Sequence, residues 1–147
     1  MSVPGHILIS VTAGGLLYYV TRSIPALSWF LITGVLIDID HYIDYARENG
    51  LSFDLKKVYV SCKYGHVNFK NLTIILHSYE LAAVLWLVIF LFGLGVTWKS
   101  AAAGLTLHLV LDAAVNPLVP AAYFLWFRIA NDFETKKINR ASQKRRP

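Results

Sequence analysis

Apolar residues fall into four long blocks along this chain, and the polar residues between them mark where its elements end. A first run, Ile7 to Val20, closes at Thr21, Arg22 and Ser23, and a second begins at Ile24-Pro25 and continues to Ile37. Each is about 14 residues long, short of the roughly 17–25 that cross a bilayer comfortably. Joined by a tight polar turn and flanked by Tyr18, Tyr19, Trp29 and Phe30, they read as a helical hairpin that thins the membrane locally or completes its length with polar residues. The third run, Leu72 to Trp98, is the strongest, since Leu81 to Val96 carries no charge. After a turn at Trp98, Lys99 and Ser100, a fourth run extends from Ala101 to about Val115. It stops at Asn116-Pro117, where proline disfavours helix in the residue before it. The pattern predicts an all-α integral membrane bundle of about four short transmembrane helices, near residues 5–21, 24–40, 72–98 and 100–116.

Between the second and third runs, residues 41–71 are polar, with Gly50 and Gly65 as breakers, and form the one long loop expected. Within it Phe53, Leu55, Val58 and Tyr59 alternate with Lys56 and Lys57, which suits either a segment lying on anionic headgroups or a solvated loop. Past Pro120, the aromatic stretch Ala121 to Phe127 is too short to span and suits an interface, so residues 121–130 are expected as an interfacial C-terminal segment. The basic tail, 131–147, has few apolar residues and is expected to be disordered or lipid-associated. No repeat with a period of 20–50 residues is visible. The organisation expected is a single transmembrane helical domain over 1–130, followed by that tail.

Composition agrees with lipid as the solvent. Hydrophobic residues make up 56% and charged residues 16%, against about 45–50% and 25% in soluble domains, and mean hydropathy is +0.49. The single cysteine, Cys62, cannot form an internal disulfide and is expected to be an inert loop residue. Met1 to His6 has no basic n-region, so the first run is expected to be retained in the mature protein.

The net charge of +5 would suit a nucleic-acid partner if it were clustered on one folded face. It is placed otherwise: six of the fourteen basic residues lie at Lys136, Lys137, Arg140, Lys144, Arg145 and Arg146, and five at Arg47, Lys56, Lys57, Lys63 and Lys70. With both tight turns on one side, only Arg22 and Lys99 lie there. The positive-inside rule then puts the termini and the loop in the cytoplasm of a multi-pass protein, with membrane lipid and no nucleic acid as partner.

The polar residues of the apolar segments collect at that same side. His6 precedes the first helix, Asp38, Asp40 and His41 close the second, His77 and Glu80 open the third, and His108 and Asp112 lie late in the fourth. Counting Asp44, five carboxylates and four imidazoles reach one layer. Asp38/His41 and His77/Glu80 are i, i+3 pairs and His108/Asp112 an i, i+4 pair, so in helices each would share a face. A charge in hydrocarbon costs roughly 2.5–3.5 kcal/mol even on mild scales, so Asp112 needs a partner. A divalent cation held by carboxylates and imidazoles meets that need; the mixed donors suit zinc first, with manganese or iron as alternatives. Helix–helix hydrogen bonds are the duller account of each residue taken singly, and His66 is expected to be exposed.

The order His6, then Leu-Ile-Asp38-Ile-Asp40-His41, then Leu-His77-Ser78, then His108-Leu-Val-Leu-Asp112 resembles the YdjM family of inner-membrane-associated metal-dependent hydrolases. The resemblance covers residues 6 to about 120. The family's segment before the first aspartate carries a proline where this chain has Ile37, which leaves both carboxylates in place and alters the turn. A remoter likeness, in chemistry alone, is to the zinc-dependent phospholipase C fold. The resemblance implies a hydrolase of the inner membrane and names no substrate.

The expected function is metal-assisted hydrolysis at the cytoplasmic membrane interface, with a lipid or other phosphoester as the substrate that basic surroundings favour. Asp38, Asp40, His77, His108 and Asp112 are the expected metal ligands, His6 completes a second metal position, and Glu80 or His41 acts as base or orients a ligand. Two other classes compete: a non-catalytic metal-binding or transport protein, and a structural membrane adaptor in which the polar residues only join helices. The sequence is silent on oligomeric state.

Overall fold

The computed structural model describes residues 3–63 and 69–140. Its regular structure is helical throughout those residues, with no strand beyond two isolated bridges, so the fold is all-α. Among the described residues the helices are, in order, α1 (Val3–Thr21), α2 (Ile24–Val35), α3 (Asp40–Asn49), α4 (Leu55–Lys63), α5 (Tyr79–Leu91), α6 (Val96–Val115), α7 (Leu125–Ala130) and α8 (Thr135–Ile138). Short 3-10 turns cover Leu36–Ile39 and Pro120–Tyr123. Taken together, Ile24–Asn49 is a 26-residue helical stretch long and apolar enough to cross a membrane. The chain divides into two compact units: residues up to Ile37 with Tyr79–Val115, and Asp38–Ser78 with residues from Asn116 onward.

The first unit is a set of apolar helices, α1, α2, α5 and α6, in which α2 packs chiefly on α6 and α1 on α2. Ser23 starts α2 by accepting the Ala26 N–H, with Pro25 in the first turn, where its missing N–H costs nothing. Close approach of α2 and α6 depends on Gly104, since a Cβ there would collide with the Phe30 carbonyl and the Thr33 hydroxyl. Thr33 also donates across the contact to Ala101 O at 2.8 Å. The unit buries polar groups, His6, Ser10, Ser100, His108 and Asp112, beside apolar ones such as Phe30, Leu105 and Leu109, and it also exposes large apolar side chains, with Val20 80% and Phe90 83% exposed.

Two boundaries differ from the sequence expectation. The third run forms no helix over 72–78, because the N–H groups of Leu72, Thr73, Ile74 and Leu76 are taken by Phe133 O, Asp44 and Asp40 instead of by carbonyls one turn back. Helix begins at Tyr79 and stops at Leu91, where Gly93 adopts a left-handed φ of +60° and Leu94 N–H bonds back to Ile89 O. The following helix therefore starts at Val96. Likewise α2 ends at Val35, so Asp38 lies in a 3-10 turn and Asp40 opens α3, where the helix dipole favours a carboxylate.

In the second unit, side-chain bonds and backbone bonds between segments distant in sequence tie the chain together. Gly50, at φ +78°, ends α3 with its N–H on Ala46 O. Asp54 starts α4 by accepting the Lys57 N–H, so part of the expected long loop is helical and Cys62 lies in a helix instead of a loop. Residues 131–140 are not a loose tail. Leu72 N–H reaches Phe133 O and Thr135 N–H reaches Lys70 O, while Val119 N–H reaches Ile138 O and Arg140 N–H reaches Pro117 O. Thr135 and Ile138 are buried as a result. The stretch expected at the interface becomes a 3-10 turn with Tyr123 buried, then the six-residue α7, about 9 Å long and too short to cross.

Candidate functional site

Both units contribute candidate ligands. In the first unit, α6 places His108 and Asp112 one turn apart on its buried face, α1 supplies His6 and Ser10, and α2 supplies the Gly34 carbonyl. Ser10 Oγ donates to Gly34 O at 3.1 Å, and His108 Nδ1 lies 3.0 Å from the same oxygen. A carbonyl only accepts, so Nδ1 carries a proton, and in a neutral ring Nε2 would present a lone pair. That Nε2 faces Asp112 Oδ2 at 3.6 Å. His6 stacks on His108, with ring centroids 4.2 Å apart and planes 13° from parallel, and its Nε2 lies 2.8 Å from Asp112 Oδ1. All of these side chains are buried.

In the second unit, the 3-10 turn carries Asp38, the first turn of α3 carries Asp40 and His41, and the irregular segment before α5 carries His77. His77 lies between carboxylates: Nδ1 is 3.1 Å from Asp40 and Nε2 is 3.2 Å from Asp38 Oδ1. Asp40 Oδ2 also accepts the Leu76 N–H at 3.0 Å, which fixes that carboxylate against the segment bearing His77. His41 approaches Asp38 at 3.8 Å, and its ring centroid is 4.9 Å from that of His77. Asp40, His41 and His77 each offer a ligand atom within 4.8 Å of the others. His77 is fully buried, whereas Asp38 and His41 are about a fifth exposed, so this set has an open side.

The two histidines share one feature. Each is buried with a ring nitrogen facing an aspartate oxygen 3.2–3.6 Å away; the other nitrogen of His108 meets the Gly34 carbonyl, and that of His77 meets a second aspartate, Asp40, at 3.1 Å. A neutral imidazole has one N–H, so a lone pair then faces a carboxylate in each set, and two acceptors repel unless a proton or a cation lies between them. Histidines that ligate metals are oriented in this way, with the non-ligating N–H on a carboxylate or backbone carbonyl. Within the second unit, Asp40, His41 and His77 can therefore hold a metal ion.

Other expected residues have different places. Asp44 spends its carboxylate on the Thr73 and Ile74 N–H groups, at 2.9 and 3.3 Å. Glu80 lies in the first turn of α5 and belongs to neither gathering, and because His77 precedes that helix the two share no helical face. His66 lies outside the described residues. Sequence reasoning passed over the Gly34 carbonyl, which carries no side-chain signal. It also passed over Arg128, a fully buried cation whose one trace is its place inside the apolar stretch Phe124 to Ile129. In comparisons with known proteins, the chain matches no family model, no curated protein and no solved structure.

Proposed function

We propose that this chain is a multi-pass membrane protein of the inner membrane, similar to the YdjM family, and that it hydrolyses a lipid or other phosphoester with a bound divalent ion. The observation that carries the reading is the pairing of a buried histidine with a facing aspartate in both units. The exposed large apolar side chains of the first unit support a lipid environment, since helices that are apolar all round belong in a large core or a bilayer. In this reading α1, α2, α5 and α6 are the four spans, and α5, at 13 residues, crosses roughly 20 Å with local thinning. The termini face the cytoplasm by the distribution of basic residues.

A divalent ion bound there would lower the pKa of its water towards neutrality and offset charge developing on the phosphoryl oxygens. Nitrogen and oxygen donors without thiolate suit zinc, manganese or iron. Asp38 and His77 form the half-open set that faces incoming substrate, and Asp40 holds the His77 ring in place. His41, partly exposed, is placed to accept a proton from an attacking water. His6, His108 and Asp112 form the closed set, whose burial keeps competing water away.

The test is metal analysis of detergent-purified full-length protein after reconstitution with zinc, manganese and iron, beside His77→Ala and His108→Ala. Stoichiometric metal in the wild type, lost in His77→Ala together with phosphodiesterase activity on lipid substrates, supports the hydrolase. Metal bound without any turnover favours a carrier. A folded wild type that takes up no metal overturns the reading.

A further inference from the structure

The segment that delivers His77 is strained. Ile74 has φ +22°, a conformation that a β-branched residue adopts only under compulsion, and it is buried. Such strain persists only where the surroundings over-determine it. Here a charged side chain grips each side of the strained residue. Asp44 Oδ2 accepts the N–H groups of Thr73 and Ile74, and Arg128 Nη1 donates to Ile74 O at 2.8 Å. The same carbonyl accepts the N–H of His77 at 3.1 Å, closing the turn directly onto the candidate ligand.

Both gripping groups are themselves built into the second unit. Asp44 projects one helical turn beyond Asp40 on α3 and is buried. Arg128 is fully buried in α7, and its own carbonyl accepts the N–H groups of Asn131 and Phe133. Phe133 O in turn holds Leu72 N–H, so one continuous chain of bonds runs from α7 to the start of the strained segment. A position needing only volume would hold leucine or methionine, since burying a guanidinium is expensive. Bonds from ionised groups are about twice as strong as neutral ones and direct the backbone accordingly.

We propose that Arg128 and Asp44 are positioning residues for metal binding: together they clamp the Ile74–His77 turn so that the His77 imidazole is held in ligating geometry. This rests on the metal reading above, and it assigns a purpose to the C-terminal part of the chain, which buttresses the ligand-bearing segment from outside the site.

The test uses full-length protein in detergent, titrated with Co2+, reading both affinity and the visible absorption that reports coordination geometry. Changes in groups that orient a ligand typically cost roughly 10–100-fold in metal affinity. Arg128→Lys, which keeps the charge and loses the guanidinium reach, and Asp44→Ala are expected to weaken Co2+ binding in that range and to alter the absorption bands. Asp44→Asn, which keeps an oxygen able to accept both N–H groups but loses the charge, is expected to weaken Co2+ binding less than Arg128→Lys or Asp44→Ala. Should Asp44→Ala fail to fold, the contrast between Arg128→Lys and Asp44→Asn decides. Wild-type affinity and spectrum in Arg128→Lys overturn the clamp while leaving the metal reading intact. A wild type that binds no Co2+ overturns both.

Discussion

The two units place their functional side chains by different means. In the first, His108 and Asp112 share a face because they lie one turn apart on α6, and His6 meets them because α1 packs beside α2 and α6. Helix periodicity and close packing do the positioning, with one carbonyl, Gly34 O, as the fixed point. In the second unit His77 belongs to no helix and is held by bonds to residues 37 to 54 positions away in sequence from their partners, from Asp40 to His77 and from Arg128 to Ile74. The first arrangement is sensitive to backbone approach, and the second to loss of individual charged groups. Substitutions chosen for each should therefore fail in different ways.

The largest effect is expected at Gly104. A valine there puts side-chain atoms onto the Phe30 carbonyl. Overpacking against movable side chains already costs about 1–3 kcal/mol, and a backbone oxygen in the middle of α2 cannot swing aside. Gly104→Val is expected to abolish the folded peak in size-exclusion chromatography. Gly15→Ala is the matched control on α1, where an added Cβ meets nothing within 4 Å, and it should stabilise by up to about 1 kcal/mol. A folded Gly104→Val protein would mean that the first unit is not held by α2–α6 contact.

A smaller loss is expected in the second unit from Ile138→Ala. Ile138 is fully buried in the part of the chain that composition marks as a tail, and truncating a buried isoleucine costs about 2–5 kcal/mol. Thermal unfolding should register this as a lowered midpoint, whereas an unaffected midpoint would return residues 131–140 to the status of a loose tail.

Those two sites also show what the sequence makes legible. Runs bounded by strong local signals were readable: Arg22-Ser23 divides α1 from α2, and Asn116-Pro117 ends α6, each within a few residues of the observed boundary. The i, i+4 spacing of His108 and Asp112 identified the first set for the same reason. By contrast, Leu72, Ile74, Ile75 and Leu76 continue the apolar run in composition, yet their backbone is bound by Asp44, Asp40 and Phe133, partners that no local window contains. The packing of Ile138 depends on Val119 in the same way. His77 was identified by residue type, but its partner Asp40 was assigned to the end of a helix when it opens one.

The smallest expected effect concerns the polar bond between helices of the first unit. Thr33 Oγ1 lies 2.8 Å from Ala101 O on α6 and 2.9 Å from Trp29 O in its own helix. One hydroxyl proton serves both, and Ala101 O lies mid-helix, where the N–H one turn on also reaches it. Thr33→Val preserves the shape and removes only the donor. Interhelical bonds of this kind contribute about 0.6 kcal/mol on average and at most about 1.7 kcal/mol within membranes, so reversible denaturation in mixed micelles should show a loss in that interval. A loss well beyond it would mean that polar bonds, instead of the glycine-mediated approach at Gly104, hold α2 against α6, and the mechanical contrast between the two units would disappear.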